Sequence, residues 1–261
     1  MPHPITGNIY DHPNLYDVLF SDQCRAEIKF LTSIFERFGG VKSIFEPACG
    51  SGRLLYHLAK LGVDASGLDL NPHAVAFCNR RLKRHGFRES AIVGNMITFS
   101  LADLGTTKKF DAAFNFVSSF LHLTTENDAV QHLRTIADIL KSGGLYLLGI
   151  HLKPKGKQLC SIERWSVRRG SLAIKSRLKS LSQNLKKRIE TIEFCIEAET
   201  PTKRYKVVDR FPLRIYSARQ FNDLLIAVDC FDILETYSFE HCPIEVTDST
   251  EDVVYMLKNR K

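Results

Sequence analysis

The sequence predicts an α/β protein: a doubly wound, largely parallel sheet with a small antiparallel β insertion. Three observations carry this. From Val41 to Ile150, short apolar segments alternate with amphipathic helical ones, the pattern of strands covered by helices on both faces. A turn of small residues, Ala48 to Gly52, joins the first apolar segment to the helix that follows it. After His151 the helical spacing stops and apolar residues alternate at period two, as in antiparallel strands.

The segment up to Phe20 reads as irregular. A helix spans Asp22 to Phe38, with Ile28, Leu31, Phe35 and Phe38 at helical spacing and Gly39-Gly40 as its stop. Val41–Glu46 is the first strand, and Leu54, Leu55, Leu58 and Leu61 mark the apolar face of the next helix. Val63–Leu70 is the second strand. Asn71-Pro72 then starts a helix, with an N-cap and a proline in the first turn. Ala91–Val93 and Phe110–Phe116 are the third and fourth strands. A helix from Glu126 to Leu140 stops at Gly143-Gly144, and Leu145–Ile150 is the fifth strand. Residues 153–216 hold two to four antiparallel strands. Ser217 and Gln220 form a capping box for a helix through Phe221, Leu224, Leu225 and Val228, and Phe231–Phe239 and Val253–Lys258 close the chain as two strands.

A chain of 261 residues, 44% apolar and 25% charged, has ordinary globular composition and can bury a core without disulfides. Seven cysteines without paired CxxC or CxxH spacing argue against a zinc site and a disulfide framework, and suit a reducing, cytoplasmic setting. No run approaches the roughly 18 apolar residues of a membrane span, and the N-terminus lacks the apolar core of a secretory signal. The net charge of +7 is uneven: from Lys153 to Glu190 there are twelve Lys and Arg against two acids. Such a segment suits nucleic acid, an anionic membrane, an acidic substrate or solvent.

The chemistry concentrates in Ile44–Leu55, IFEPACGSGRLL. Glycine lets a ligand approach the backbone, and the helix that follows presents free amides. The third glycine of a dinucleotide fingerprint would fall at Leu55, which is bulky, and Glu46 at the strand end would repel a pyrophosphate but suit a cationic ligand. Asp69, at the end of the second strand and twenty-three residues after Glu46, is placed to accept both hydroxyls of an adenosine ribose. Leu70 beside it would pack on the adenine.

These motifs resemble the class I S-adenosylmethionine-dependent methyltransferases, closely the small-molecule branch. EPACGSG resembles their first motif, with Ala48 where many members carry glycine; Asp69 matches the ribose acid; AIVGNMITF, FDAAFNFVSSFLHL and LRTIADILKSGGLYLLGIHL match the later motifs. The resemblance covers residues 40–152, and 217–258 fits the family's ending. It implies a Rossmann-like seven-stranded sheet in the order 3-2-1-4-5-7-6 with the last strand antiparallel. Residues 1–152 and 217–261 would form the cofactor-binding domain, and 153–216 an inserted β cap. It also implies S-adenosylmethionine as cofactor, S-adenosylhomocysteine as product and no metal. The implied cofactor residues are Tyr16, Glu46, Ala48, Gly50, Gly52, Arg53, Asp69, Leu70, Asn95, Met96, Asn115 and Phe116. Asn95 stands where the family commonly has aspartate, and its amide can still bond the adenine amino group.

Methyl transfer from a sulfonium needs positioning and a dry pocket above all, and a base where the acceptor must lose a proton. His122, after the fourth strand, is the candidate base. Tyr10, His151, Trp165, Arg214 and Tyr216 are candidate substrate contacts. The basic insertion suggests an anionic small-molecule acceptor. The alternatives are an RNA or protein methyltransferase docking through 153–190, and a cofactor-binding partner subunit without catalysis.

Overall fold

The computed structural model describes residues 5–154 and 162–261. The N-terminal segment forms β1 (Ile5–Thr6), a 3-10 turn (Ile9–Asp11) and α1 (Pro13–Leu19); α2 is Cys24–Arg37. Then come β2 (Ser43–Pro47), α3 (Arg53–Lys60), β3 (Asp64–Asp69), α4 (Pro72–Arg84), β4 (Ala91–Val93), β5 (Phe110–Asn115), α5 (Glu126–Ile139) and β6 (Leu140–His151). The second half holds β7 (Ile162–Arg169), β8 (Leu172–Asn184), β9 (Ile189–Glu199), β10 (Arg204–Arg214), α6 (Ala218–Val228), β11 (Phe231–Tyr237) and β12 (Asp252–Asn259).

Seven strands form one sheet in the order β4-β3-β2-β5-β6-β12-β11, which is 3-2-1-4-5-7-6 counted from β2. β2 to β6 run parallel, while β12 is antiparallel to both β6 and β11. Alternation along the strands sorts their side chains between two cores. Ile44, Phe114, Leu147 and Met256 pack with Leu31, Leu54 and Cys78 of the helices on one face. Phe45, Tyr146, Leu148 and Tyr255 pack with Leu133, Ile136 and Phe221 on the other.

Two local readings change. The Gly143-Gly144 pair lies inside β6 rather than ending α5, because Leu140 already turns extended. A Cβ on Gly144 would sit 2.9 Å from the Lys141 carbonyl and 3.1 Å from that of Asp111, beside a register shift between Phe110 and Ala112. Residues 5–19 form regular elements rather than an irregular run, and α1 is too short for periodicity to reveal it.

The second sheet, β1-β10-β9-β8-β7, is antiparallel apart from the short β1, which runs parallel to β10. Its inner face, with Ile174, Phe194, Ile196, Ala198 and Val207, buries Leu15, Val18 and Leu19 of α1. On its other face Lys175, Arg177 and Lys179 of β8 stand opposite Glu197, Cys195 and Glu193 of β9. Arg177 and Arg210 both pair with Glu193, at 2.9 and 2.7 Å, and Lys206 pairs with Glu197 at 2.6 Å. The basic residues of β8 therefore belong to a charged face turned away from α1, while Arg169 of β7 pairs with Asp17 of α1.

His132 of α5 is fully buried and bonds the Met96 carbonyl and the Tyr146 hydroxyl, each at 2.8 Å. Burial pushes its imidazole down to about 4. The unfolded chain takes up that proton near pH 6.5, the folded one only near 4, so this group's contribution to stability falls as pH drops through that window. Wild-type protein should lose about 2–3 kcal/mol more than His132→Gln between pH 7 and pH 4.5, read from urea unfolding. Parallel slopes would assign the proton uptake to other groups.

Candidate active site

A cavity of about 470 Å³ opens at the carboxyl ends of β2, β3, β4 and β5, where open α/β sheets bind ligands. The turn after β2 runs through left-handed backbone at Ala48 (φ 55°), Gly50 (φ 54°) and Gly52 (φ 65°). Gly52 cannot be replaced cheaply, since a Cβ there would lie 2.1 Å from Cys78 Sγ of α4. The turn is bonded to β3: Gly50 N–H donates to Asp69 Oδ2 at 2.8 Å, and Asn71 N–H donates to Oδ1 at 2.8 Å. Each carboxylate oxygen is thus aimed by one amide on the cavity wall. Burial raises the Asp69 carboxyl, and the two amides oppose that rise.

The other wall is aromatic. Tyr10 Oη lies 3.0 Å from His122 Nε2. The Tyr10 ring is 5.7 Å from Tyr16, and Phe211 of β10 is 5.2 Å from His122 and 6.2 Å from Tyr10. Burial lowers the His122 imidazole, with Asp209 opposing the shift, so the ring is neutral at pH 7. Burial also raises Tyr10, and pushes Tyr16 up to about 12, which keeps both phenols protonated.

Of the expected site residues, Tyr10, Tyr16, Ala48, Gly50, Asp69, Leu70, Asn95, Met96 and His122 line this cavity. Others do not. Gly52 is the N-cap of α3. Arg53, expected at the cofactor, makes a buried bidentate pair with Glu27 of α2. Phe116 packs against Phe30 and Phe114 in the core. Glu46 and Asn115 are buried at the ends of β2 and β5, and Asn115 Nδ2 donates to the Pro47 carbonyl at 2.9 Å.

The expected substrate contacts beyond Tyr10 are placed elsewhere. Arg214 is buried, donating to the Thr124 carbonyl at 2.7 Å and pairing with Glu126, so its charge is already matched. Tyr216 is core, with the Arg214 and Arg188 guanidiniums 5.4 and 5.5 Å from its ring. Trp165 stacks on Phe194 at 5.6 Å. His151 is exposed and paired with Asp252.

Lining residues that escaped the sequence reading include Asn8, Asp11 and Ser119. Asp11 accepts a hydrogen bond from Asn71 Nδ2 at 2.7 Å, which fixes the 3-10 turn over the cavity. Asp17 of α1 accepts from Ser51 at 3.0 Å and pairs with Arg81 at 2.5 Å and Arg169 at 2.9 Å. One carboxylate therefore joins α1 to the glycine turn, to α4 and to the second sheet. No local signal marks such long-range partners.

Two buried acceptors, Glu46 Oε2 and Asn115 Oδ1, have no hydrogen-bond partner, an arrangement that costs stability unless a donor arrives. An amino-acid ammonium supplies such donors, so these residues fit a cofactor that carries one. Among the described residues no group of three or more His, Cys, Asp or Glu could hold a metal, and no helix is long and apolar enough to cross a membrane.

Residues 44–144 match the family described as Methyltransferase domain. A dTDP-3-amino-3,4,6-trideoxy-alpha-D-glucopyranose N,N-dimethyltransferase of Streptomyces venezuelae is 25% identical over 142 residues, 53% of this chain and 56% of that protein. The chain spans about half the length of the curated relatives it matches. Among solved structures, an S-adenosylmethionine-dependent methyltransferase from Clostridium acetobutylicum superposes with TM-score 0.77 at 15% identity, covering 97% of this chain and 100% of that one. The sugar N-methyltransferase KedS8 from Streptoalloteichus does so with TM-score 0.72 at 20% identity, covering 100% of this chain and 96% of that one. The fold is that of the class I S-adenosylmethionine-dependent methyltransferases.

Proposed function

We propose that this chain, whose residues 44–144 carry the methyltransferase domain, transfers a methyl group from S-adenosylmethionine, in line, to a nucleophilic nitrogen or oxygen of a small molecule. The observation that carries the reading is Asp69, its two oxygens aimed by the Gly50 and Asn71 amides on the wall of a cavity at the strand ends. The cofactor, when bound, supplies an activated methyl group whose leaving group is a neutral thioether. Asp69 would accept the ribose hydroxyls, with Leu70, Asn95 and Met96 around the adenine. Glu46 Oε2 and Asn115 Oδ1 would accept from the amino-acid ammonium. Tyr10 and Tyr16, on the 3-10 turn and α1, cover the cavity and exclude water. His122, neutral and bonded to Tyr10, would take the proton that the acceptor loses. A cavity of this size at the strand ends and the amino-sugar acceptor of the Streptomyces relative support a small molecule over a macromolecule.

Calorimetric titration with S-adenosylmethionine, S-adenosylhomocysteine and NADH tests the reading. Binding of the two sulfur nucleosides and not of NADH is expected; folded protein that binds neither sulfur nucleoside would overturn it. Asp69→Ala should weaken S-adenosylmethionine by about 1–3 kcal/mol, roughly 5- to 150-fold in Kd. Unchanged affinity with the fold intact would move the ribose elsewhere.

A further inference from the structure

The charges around the cavity are one-sided. Among its described lining residues the acidic side chains are Asp11 and Asp69, and no Lys or Arg is present. The basic residues of β8 lie on the face of the second sheet opposite the one that packs on α1. No described lining residue can neutralise a carboxylate or phosphate brought beside the reacting atoms, and burying an unpaired anion there is costly.

A third acid stands behind the aromatic wall. Asp209 of β10 accepts the Ile9 N–H at 2.9 Å, which fixes the strap that carries Tyr10. Two residues along the same strand, Phe211 meets the His122 and Tyr10 rings. Aromatic faces attract an organic cation, and a nearby carboxylate favours one further.

We propose that the acceptor is an amine that arrives as its ammonium, received in the cavity against the Tyr10 and His122 rings, with Phe211 and the counter-charge of Asp209 behind them. This rests on the methyl-transfer reading above and differs from the anionic acceptor that the basic segment suggests. The step balances. An ammonium beside a sulfonium gives up its proton more readily, because like charges disfavour the charged form. His122 Nε2 accepts that proton. The freed nitrogen lone pair then bonds to the methyl carbon, and the carbon–sulfur bond breaks with its electron pair going to sulfur. The products are an N-methylated ammonium and a neutral thioether, and the imidazolium returns one proton to water. Asp209 and Phe211 then set acceptor specificity from the second sheet.

The test uses the full chain saturated with S-adenosylhomocysteine, titrated at pH 7 with cyclohexylamine, cyclohexanol and cyclohexanecarboxylate and followed on the His122 ring resonances by NMR. Cyclohexylammonium should bind at least about tenfold more tightly than the carboxylate. Asp209→Asn keeps an oxygen for the Ile9 N–H; it should weaken the ammonium about tenfold and leave S-adenosylhomocysteine affinity unchanged. Asp209→Glu, with its charge retained, should bind the ammonium more tightly than Asp209→Asn. If S-adenosylhomocysteine binds but the ammonium does not, or the carboxylate binds as well, or Asp209→Asn changes nothing, the amine proposal fails while the methyl-transfer reading stands. If S-adenosylhomocysteine itself does not bind, both fall.

Discussion

Exchanging His122 for asparagine is expected to lower turnover by about 10²–10⁴-fold, the usual range for loss of a positioned base, while S-adenosylmethionine still binds. The expectation comes from where the imidazole sits. Its Nε2 is 3.0 Å from Tyr10 Oη at the mouth of the cavity, and burial holds it neutral at pH 7. A neutral imidazole can accept a proton; a charged one cannot. Wild-type activity should therefore stay level from pH 8 down to about 6.5 and fall only below the imidazole's lowered pKa. His122→Asn should lose that acid limb along with its rate. Tyr10→Phe keeps the ring contacts but removes the hydroxyl, so it should cost less. The double variant should be no slower than His122→Asn, because partners acting as one unit are not additive. Wild-type turnover with an unchanged acid limb in His122→Asn would leave the histidine as packing and assign proton removal elsewhere.

What could be read in advance divides by the range of the interactions. Asp69 was legible because everything that places it is local: an apolar strand, an N-cap and proline just after it, and a glycine turn nineteen residues before it. The doubly wound class follows the same way from consecutive strand–helix units and the right-handed crossover, while the strand order was implied by the resemblance of the motifs. Arg53 and Arg214 were misassigned because their carboxylate partners come from elsewhere in the chain. Glu27 lies 26 residues upstream of Arg53, and Glu126 lies 88 residues upstream of Arg214. A basic residue beside a binding motif reads as a ligand contact until the partner that neutralises it is known. Asp17 is harder still, since its partners extend to Arg169, 152 positions away. The basic insertion is hard to read for a different reason. Composition counts charge but not faces, and in a strand successive residues point to opposite sides; the charges of β8 belong to the side away from α1.

Arg53→Ala is expected to destabilise the protein by about 3–5 kcal/mol, the cost of removing one partner of a buried ion pair. That is a large share of the roughly 5–15 kcal/mol by which domains are stable. The guanidinium is 10% exposed and its Glu27 partner 7%, so water cannot replace the lost bonds. Its charge also opposes the rise that burial imposes on the neighbouring Glu46 carboxyl. Without it, Glu27 and Glu46 share a buried region with no cation, and the Glu46 pKa should climb further. A carboxyl whose folded pKa lies above its unfolded value makes the fold more stable as pH falls. Acidification from pH 7 to pH 5 should therefore recover part of the loss in Arg53→Ala, against the downward trend that His132 imposes on the wild type. Adding Glu27→Gln should recover part of it at pH 7, and a double-mutant cycle measures how much belongs to the pair. Arg53→Lys should be intermediate, because a lysine cannot form the bidentate contact. Urea unfolding at the two pH values reads all of this. A loss below about 1 kcal/mol, the size of an exposed pair, with no recovery at pH 5, would mean that solvent reaches the pair. The consequence would extend to function. Arg53 is the first residue of α3, directly after Gly52, so the pair that anchors α2 to α3 also holds the end of the turn whose amide aims Asp69.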